Sequence, residues 1–157
     1  MLAVFGLWYD ENRPCLASGK DMTVSVRHLD DYLRLAAGAA PTSCGAVGHC
    51  TLQNLVEADG SVYPCDFYAL DEYCLGNINE ASFTELNSTE TASRFVLESA
   101  ASSENCAKCK WFPICRGGCR RYRTGGEYMY YPCCAEYYEK TYPKMRELAG
   151  MIDRSAL

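Results

Sequence analysis

Four cysteines stand in the run Cys106-x2-Cys109-x5-Cys115-x3-Cys119, preceded by Cys44-x5-Cys50-x14-Cys65. Thiolates ligate zinc and iron-sulfur clusters, and four on one short stretch are spaced too regularly for accidental core thiols. With one of the adjacent Cys133 and Cys134 these seven make eight, the requirement of two four-cysteine clusters. All-cysteine zinc sites use C-x2-C spacing as well, so spacing alone leaves zinc and iron-sulfur equally open. Cys15 lies outside this region and Cys74 matches no ligand position, and both read as plain thiols.

Other side chains near the cysteines could also take part. Asp66 directly follows Cys65, in an apolar and aromatic local sequence where burying a lone carboxylate is costly. By residue type it reads as a turn carboxylate accepting backbone N–H bonds. Lys108, Lys110, Arg116, Arg120, Arg121 and Arg123 crowd the run. The chain is acidic overall, with net charge -5, and the patch lacks interleaved base-stacking aromatics, so neutralisation of an anionic cluster is expected rather than nucleic-acid binding. Arg116 in particular is expected to raise a cluster potential. His28 and His49 read as surface or packing histidines, because cysteines suffice for every ligand position. Trp111 and Phe112, between two ligands, are suited to shielding a cluster, and the tyrosines from Tyr128 to Tyr142 to packing a final helix over it.

The elements that must position these residues can be read from periodicity. Val4, Leu7 and Trp8 stand at helical spacing, Thr23 to Val26 reads as a short strand, and Leu29, Tyr32, Leu33 and Ala36 form the apolar stripe of a second helix. Residues 1–43 show no closed core of their own and read as the tail of a larger α/β domain, with the chain as a fragment; the Gly38 to Pro41 stretch then opens a cysteine region over 44–157. Leu52 to Val56 and Val62-Tyr63 suit strands, with Asp59-Gly60 as a two-residue hairpin turn and Cys50 and Cys65 at the two bases. Ser82-x-x-Glu85 reads as a capping box, Thr91 to Ser99 as a helix, and about Cys134 to Met151 as a final helix with Tyr137, Tyr138, Met145 and Leu148 on its apolar side. Pro113, Gly117 and Gly118 suggest that Cys106 to Cys119 is a tight ligand loop, neither helix nor strand.

The whole chain of 157 residues, 48% apolar, suffices for one core and a small annex. No apolar stretch approaches the roughly 20 residues of a membrane span, and Met1 to Pro14 has no secretory character, so a soluble protein of the cytoplasm is expected. There thiols stay reduced, which favours metal over disulfides.

The pattern Cys44, Gly60, Cys65, then Cys106-x2-Cys109-x5-Cys115-x3-Cys119, then a last cysteine near Cys134, resembles the SPASM domain of radical S-adenosylmethionine enzymes. Val56 to Tyr68 and Leu75-Gly76-Asn77-Ile78 resemble one branch, the anaerobic sulfatase-maturating enzymes. The likeness extends through Phe5-Gly6-Leu7-Trp8-Tyr9 and Val24-Ser25-Val26-Arg27. It implies an α+β fold: a small irregular cluster-binding domain with a β-hairpin and a C-terminal helix, preceded by the tail of a partial α/β barrel. It implies two auxiliary [4Fe-4S] clusters, one on Cys44, Cys50, Cys65 and Cys119 and one on Cys106, Cys109, Cys115 and Cys134, with Cys133 the alternative last ligand. It also implies that Asp66 is the general base when a Cys or Ser of a sulfatase is oxidised to Cα-formylglycine, the clusters taking the substrate electron.

The partners implied are a sulfatase polypeptide and a flavodoxin or ferredoxin, with no nucleic acid and no membrane, for a monomer. The Cys-x3-Cys-x2-Cys motif of radical initiation does not occur in this sequence. S-adenosylmethionine and a third [4Fe-4S] cluster are therefore expected outside it, and the chain alone is expected to be inactive. A different SPASM peptide maturase, such as one forming thioether crosslinks, and a non-catalytic electron-transfer or zinc-stapled docking module are the alternatives.

Overall fold

The structure is a computed structural model that describes residues 1–100, 103–125, 127–128 and 133–152. Along the chain run α1 (Leu2–Ala17), α2 (Arg27–Ala36), strands β1 (Leu55–Val56), β2 (Ser61–Tyr63) and β3 (Gly76–Asn77), helices α3 (Phe83–Asn87), α4 (Glu90–Ser99), α5 (Glu104–Lys108) and α6 (Phe112–Cys115), strands β4 (Arg123–Thr124) and β5 (Glu127–Tyr128), and α7 (Cys133–Ala149). The fold is the small α+β arrangement expected of a cluster-binding domain.

The N-terminal helices are closed by the last one. On α1 the buried face is Phe5, Trp8, Tyr9, Asn12 and Leu16, whereas Val4 and Leu7 are 48% and 70% exposed, so the stripe is shifted by one residue from the expected Val4, Leu7, Trp8. On α2 the stripe Leu29, Tyr32, Leu33, Ala36 is buried as its spacing requires. Both helices share one core with Tyr137, Tyr138, Met145 and Leu148 of α7, which contains Pro143. Each fully buried aliphatic side chain there contributes about 1.5–3 kcal/mol of apolar burial. No strand forms at Thr23–Val26, because the buried amide of Asn12 takes the hydrogen bonds a neighbouring strand would supply. Its Oδ1 accepts from the N–H groups of Thr23 (3.0 Å) and Val24 (3.1 Å), and its Nδ2 donates to the Val24 carbonyl (2.8 Å).

A second, smaller core of Val62, Leu75, Leu86 and Ala92 lies under the antiparallel sheet β1-β2-β3, in which Val56 pairs with Val62 and Val62 with Gly76. The first strand is shorter than the run Leu52 to Val56, since Asn54 adopts a left-handed φ of 55° that breaks the extended backbone. The hairpin turn also differs from a two-residue one. Glu57 N–H donates to the Ser61 carbonyl and Gly60 N–H to that of Glu57, leaving a loop of residues 58–60 with Gly60 at φ 90°. A Cβ at Gly60 would stand 2.6 Å from Asn77 Oδ1. The capping box forms: Ser82 accepts from Glu85 N–H, and the Glu85 carboxylate accepts from Ser82 N–H.

The Cys106 to Cys119 run is wound as two short helices, contrary to the loop expected from its Pro and Gly content. Ser103 caps α5 by accepting from Cys106 N–H at 3.2 Å, and Pro113 sits in the first turn of α6, where its missing N–H costs nothing. Arg116, in the left-handed region at φ 52°, ends α6. Among the described residues no helix is long and apolar enough to cross a membrane.

Candidate metal centre

Four cysteines distant in sequence meet at one cleft. Cys44, Cys50, Cys65 and Cys119 line an open cavity of about 790 Å³, with Asp66 and Phe67 at its wall. Cys44 begins a single 3-10 turn and is the most exposed of the four. The segment before it is fastened by Asp31 of α2, whose carboxylate accepts from the backbone and hydroxyl groups of Thr42 (2.5 and 2.9 Å) and Ser43. Cys50 is fixed through its backbone, its N–H donating to Ser99 Oγ at 2.6 Å while that hydroxyl donates to the Val96 carbonyl. The β1-β2 pairing continues to Gln53 N–H and the Pro64 carbonyl, 2.8 Å apart, and presents Cys65 at the end of β2. Cys119 backs onto Gly45, where a Cβ would touch the Cys119 Cβ at 3.6 Å.

The second group is set by three helices. Cys106 is buried in α5, Cys109 caps that helix, Cys115 ends α6, and Cys134 lies in the first turn of α7. The Cys134 thiol donates to Cys115, which holds the Cys134 proton on and, with burial and the charges of Cys115, Cys109 and Cys106, raises its pKa well above the ordinary thiol value. The same bond lowers Cys115 to about 7, against the opposing effect of burial. Trp111, between these cysteines, packs edge-on against Tyr142 with ring centroids 5.1 Å apart and tilts over Tyr138 at 6.1 Å. The side chain of Cys133 lies outside the described residues, as do those of Tyr128, Tyr130 and Tyr131.

Among the described residues no three His, Cys, Asp or Glu side chains form a group that could hold a metal ion. The first four cysteines line one cleft, and soft thiolate is a suitable donor for zinc and for iron-sulfur clusters alike. Burial raises Cys50, and burial with the neighbouring Asp66 carboxylate raises Cys65 to about 11. In both, burial favours the protonated thiol, a proton that ligation of a metal would displace.

The cations are less free than their density in the sequence suggests. Lys108 pairs with Glu104 and Lys110 with Glu139. Arg120 pairs with Glu98 at 3.1 Å and faces the rings of Tyr68, Tyr73 and Phe95 at 5.3, 5.7 and 5.2 Å. Arg116 donates to the carbonyls of Pro113 and Val47. Asp66 is exposed, so no burial cost arises; its Oδ1 accepts from Phe67 N–H at 3.0 Å and lies 3.2 Å from Cys65 Sγ. Cys15 and Cys74 stand away from the cleft, their thiols directed to the backbone carbonyls of Glu11 and Gly76. Neither His28 nor His49 completes a donor set with three others among the described residues.

Comparison with known proteins gives this geometry a family. Residues 44–110 match SPASM, an iron-sulfur cluster-binding domain. A cysteine-type anaerobic sulfatase-maturating enzyme of Clostridium perfringens (strain 13 / Type A) is 40% identical over 155 residues, 95% of this chain and 40% of that protein. Residues 44–110 thus carry a SPASM domain, and nearly the whole chain is similar to part of an anaerobic sulfatase-maturating enzyme. The cysteine-type enzyme of Clostridium novyi (strain NT) is 42% identical over 118 residues, 75% of this chain and 30% of that relative. A solved structure described as native anSMEcpe with bound AdoMet and Cp18Cys peptide superposes with a TM-score of 0.84 at 38% identity, covering 96% of this chain and 42% of that one. This SPASM chain thus spans well under half the length of the relatives it matches. The SPASM match stops at residue 110; beyond it Cys119 lines the cleft of Cys44, Cys50 and Cys65, and Cys115 lies beside Cys134.

Proposed function

We propose that this chain is the auxiliary-cluster part of a cysteine-type anaerobic sulfatase maturase, in which Cys44, Cys50, Cys65 and Cys119 hold one [4Fe-4S] cluster and Cys106, Cys109, Cys115 and Cys134 a second. The observation that carries this reading is the cleft where four thiols from separate parts of the chain surround one space with Asp66 on its wall. Bound there, the clusters would supply acceptors for the electron released as the substrate Cβ is oxidised to the level of Cα-formylglycine.

Asp66 takes the proton of the substrate thiol in this reading. Phe67 N–H and the Cys65 thiol bond Oδ1, and in this reading Oδ2 is the atom that takes the substrate proton. Phe67 and Tyr68 line the same cleft beside Asp66. Hydrogen abstraction from the substrate requires S-adenosylmethionine and a third [4Fe-4S] cluster on a Cys-x3-Cys-x2-Cys motif, which does not occur in this sequence. The chain by itself would therefore hold clusters without starting the reaction. Residues 1–43 would be the end of a barrel and its linker, and 44–157 the cluster domain. A sulfatase polypeptide and a flavodoxin or ferredoxin would be its partners, in the cytoplasm and with the enzyme as a monomer.

Anaerobic reconstitution should give about eight irons and eight sulfides per chain with a broad charge-transfer absorption band. Stoichiometric zinc without labile sulfide would overturn the assignment. In the complete maturase acting on a cysteine-bearing sulfatase peptide, Asp66→Asn should lower formylglycine yield by about 10²–10⁴ while 5′-deoxyadenosine still forms. Undiminished yield would remove Asp66 as the base.

A further inference from the structure

Arg123 reaches more of the chain than any other cation described above. Its Nε donates to the Gly117 carbonyl at 2.9 Å, Nη1 to that of Ser99 at 2.5 Å, and Nη2 to those of Gly118 at 2.7 Å, Gly48 at 3.3 Å and Arg116 at 3.5 Å. These five carbonyls belong to three separate stretches. Gly48 lies two residues before Cys50, Ser99 ends α4 and accepts from Cys50 N–H, and residues 116–118 form the turn joining Cys115 to Cys119. That turn is the shortest stretch of chain joining a thiol of the second group to one of the first.

We infer that Arg123 is a positioning residue shared by both cysteine groups, bracing the loops that carry them and placing one positive charge between the two cluster sites. The inference rests on the two-cluster reading above. Lysine could supply the charge but not the planar fork, because a guanidinium has five N–H donors in fixed directions and an ammonium does not. Glutamine could supply part of the hydrogen bonding but not the charge. The guanidinium bonds the Gly48 carbonyl two residues before Cys50 and the carbonyls of the turn that follows Cys115, so one cation stands beside a ligand loop of each group. A cation beside an iron-sulfur centre stabilises its reduced, more negative form and so raises its potential.

Charge and brace are separated by two variants of the chain, reconstituted anaerobically beside the wild type. Iron and sulfide are counted in each, and both midpoint potentials are read by redox titration with electron paramagnetic resonance. Wild-type stoichiometry tests the two-cluster reading by itself, and the variants test only Arg123. In Arg123→Lys, loading of both centres should fall while the loaded fraction keeps wild-type potentials. In Arg123→Gln, loading should fall and both potentials should drop, each by about a tenfold change in the one-electron equilibrium, about 59 mV. Full loading in Arg123→Lys, loss of one centre only, or a potential that moves at one centre alone would overturn the inference. If Arg123→Gln retains neither centre, Arg123→Lys decides: reduced loading of both centres at unshifted potentials upholds it, and wild-type loading overturns it.

Discussion

Cys134 and Cys74 are both partly buried thiols, and what distinguishes them is the company each keeps. The Cys134 thiol donates to Cys115 and feels the charges of Cys106 and Cys109, whereas the Cys74 thiol is directed to the Gly76 carbonyl. Cys134→Ser should therefore remove about half of the bound iron, and Cys74→Ala none, by colorimetric iron assay after anaerobic reconstitution. Asp31 makes a pH prediction at the same scale. Burial works against its charge, but hydrogen bonds from Ser43 and Thr42 outweigh it and hold the carboxyl below its ordinary value. A depressed folded pKa means that the stabilisation is complete above the unfolded value, about 4, and is lost as pH falls through the lower folded one. Thermal melts of the apo chain should show an acid-side loss below about pH 4 that is shallower in Asp31→Asn.

Short elements place the ligands, and their strength lies in side chain to backbone bonds more than in regular ladders. Ser99, 1% exposed at the end of α4, holds the Cys50 backbone through a single hydroxyl. Ser99→Ala leaves the Cys50 N–H without that acceptor and should cost about 1–3 kcal/mol in urea denaturation, with weaker loading of the first cysteine group. The capping box at Ser82 and the hairpin around Gly60 were legible because their signals are local: a side chain bonding three residues away, and a backbone angle glycine tolerates. The third strand was not. Gly76-Asn77 has no strand-like composition and pairs only because β2 presents an open edge and Asn77 Nδ2 reaches the Asp59 carbonyl at 2.9 Å. The two short helices of the cysteine run were hidden for the opposite reason, since Pro113 reads as a breaker until it is seen in a first turn.

At the scale of the whole molecule, α1 and α2 have their core completed by α7, more than a hundred residues later. Leu148, fully buried in that shared core, links the two ends of the chain. Leu148→Ala should destabilise by about 2–5 kcal/mol. If the helices at the two ends stand or fall together, circular dichroism and tryptophan fluorescence, which reports Trp8 in α1 and Trp111 beside α7, should shift to one common lower midpoint. Two separated transitions would show that the N-terminal helices hold without α7.

The sequence by itself determined the ligand type, the number of candidate thiols, the capping signals and the apolar stripe of α2, because each depends on residue chemistry or on spacing within a few positions. The tertiary structure alone decided which thiols share a space. Cys119 lines one cavity with Cys44, Cys50 and Cys65 and a second with its neighbour Cys115, and Arg123 ties the turn of residues 116–118 between them to the Gly48 loop. The structure also showed that most of the crowded cations serve as braces and ion-pair partners. A guanidinium is recognised as a brace only when the carbonyls it binds, here contributed from positions 48 to 118, have been folded to within reach.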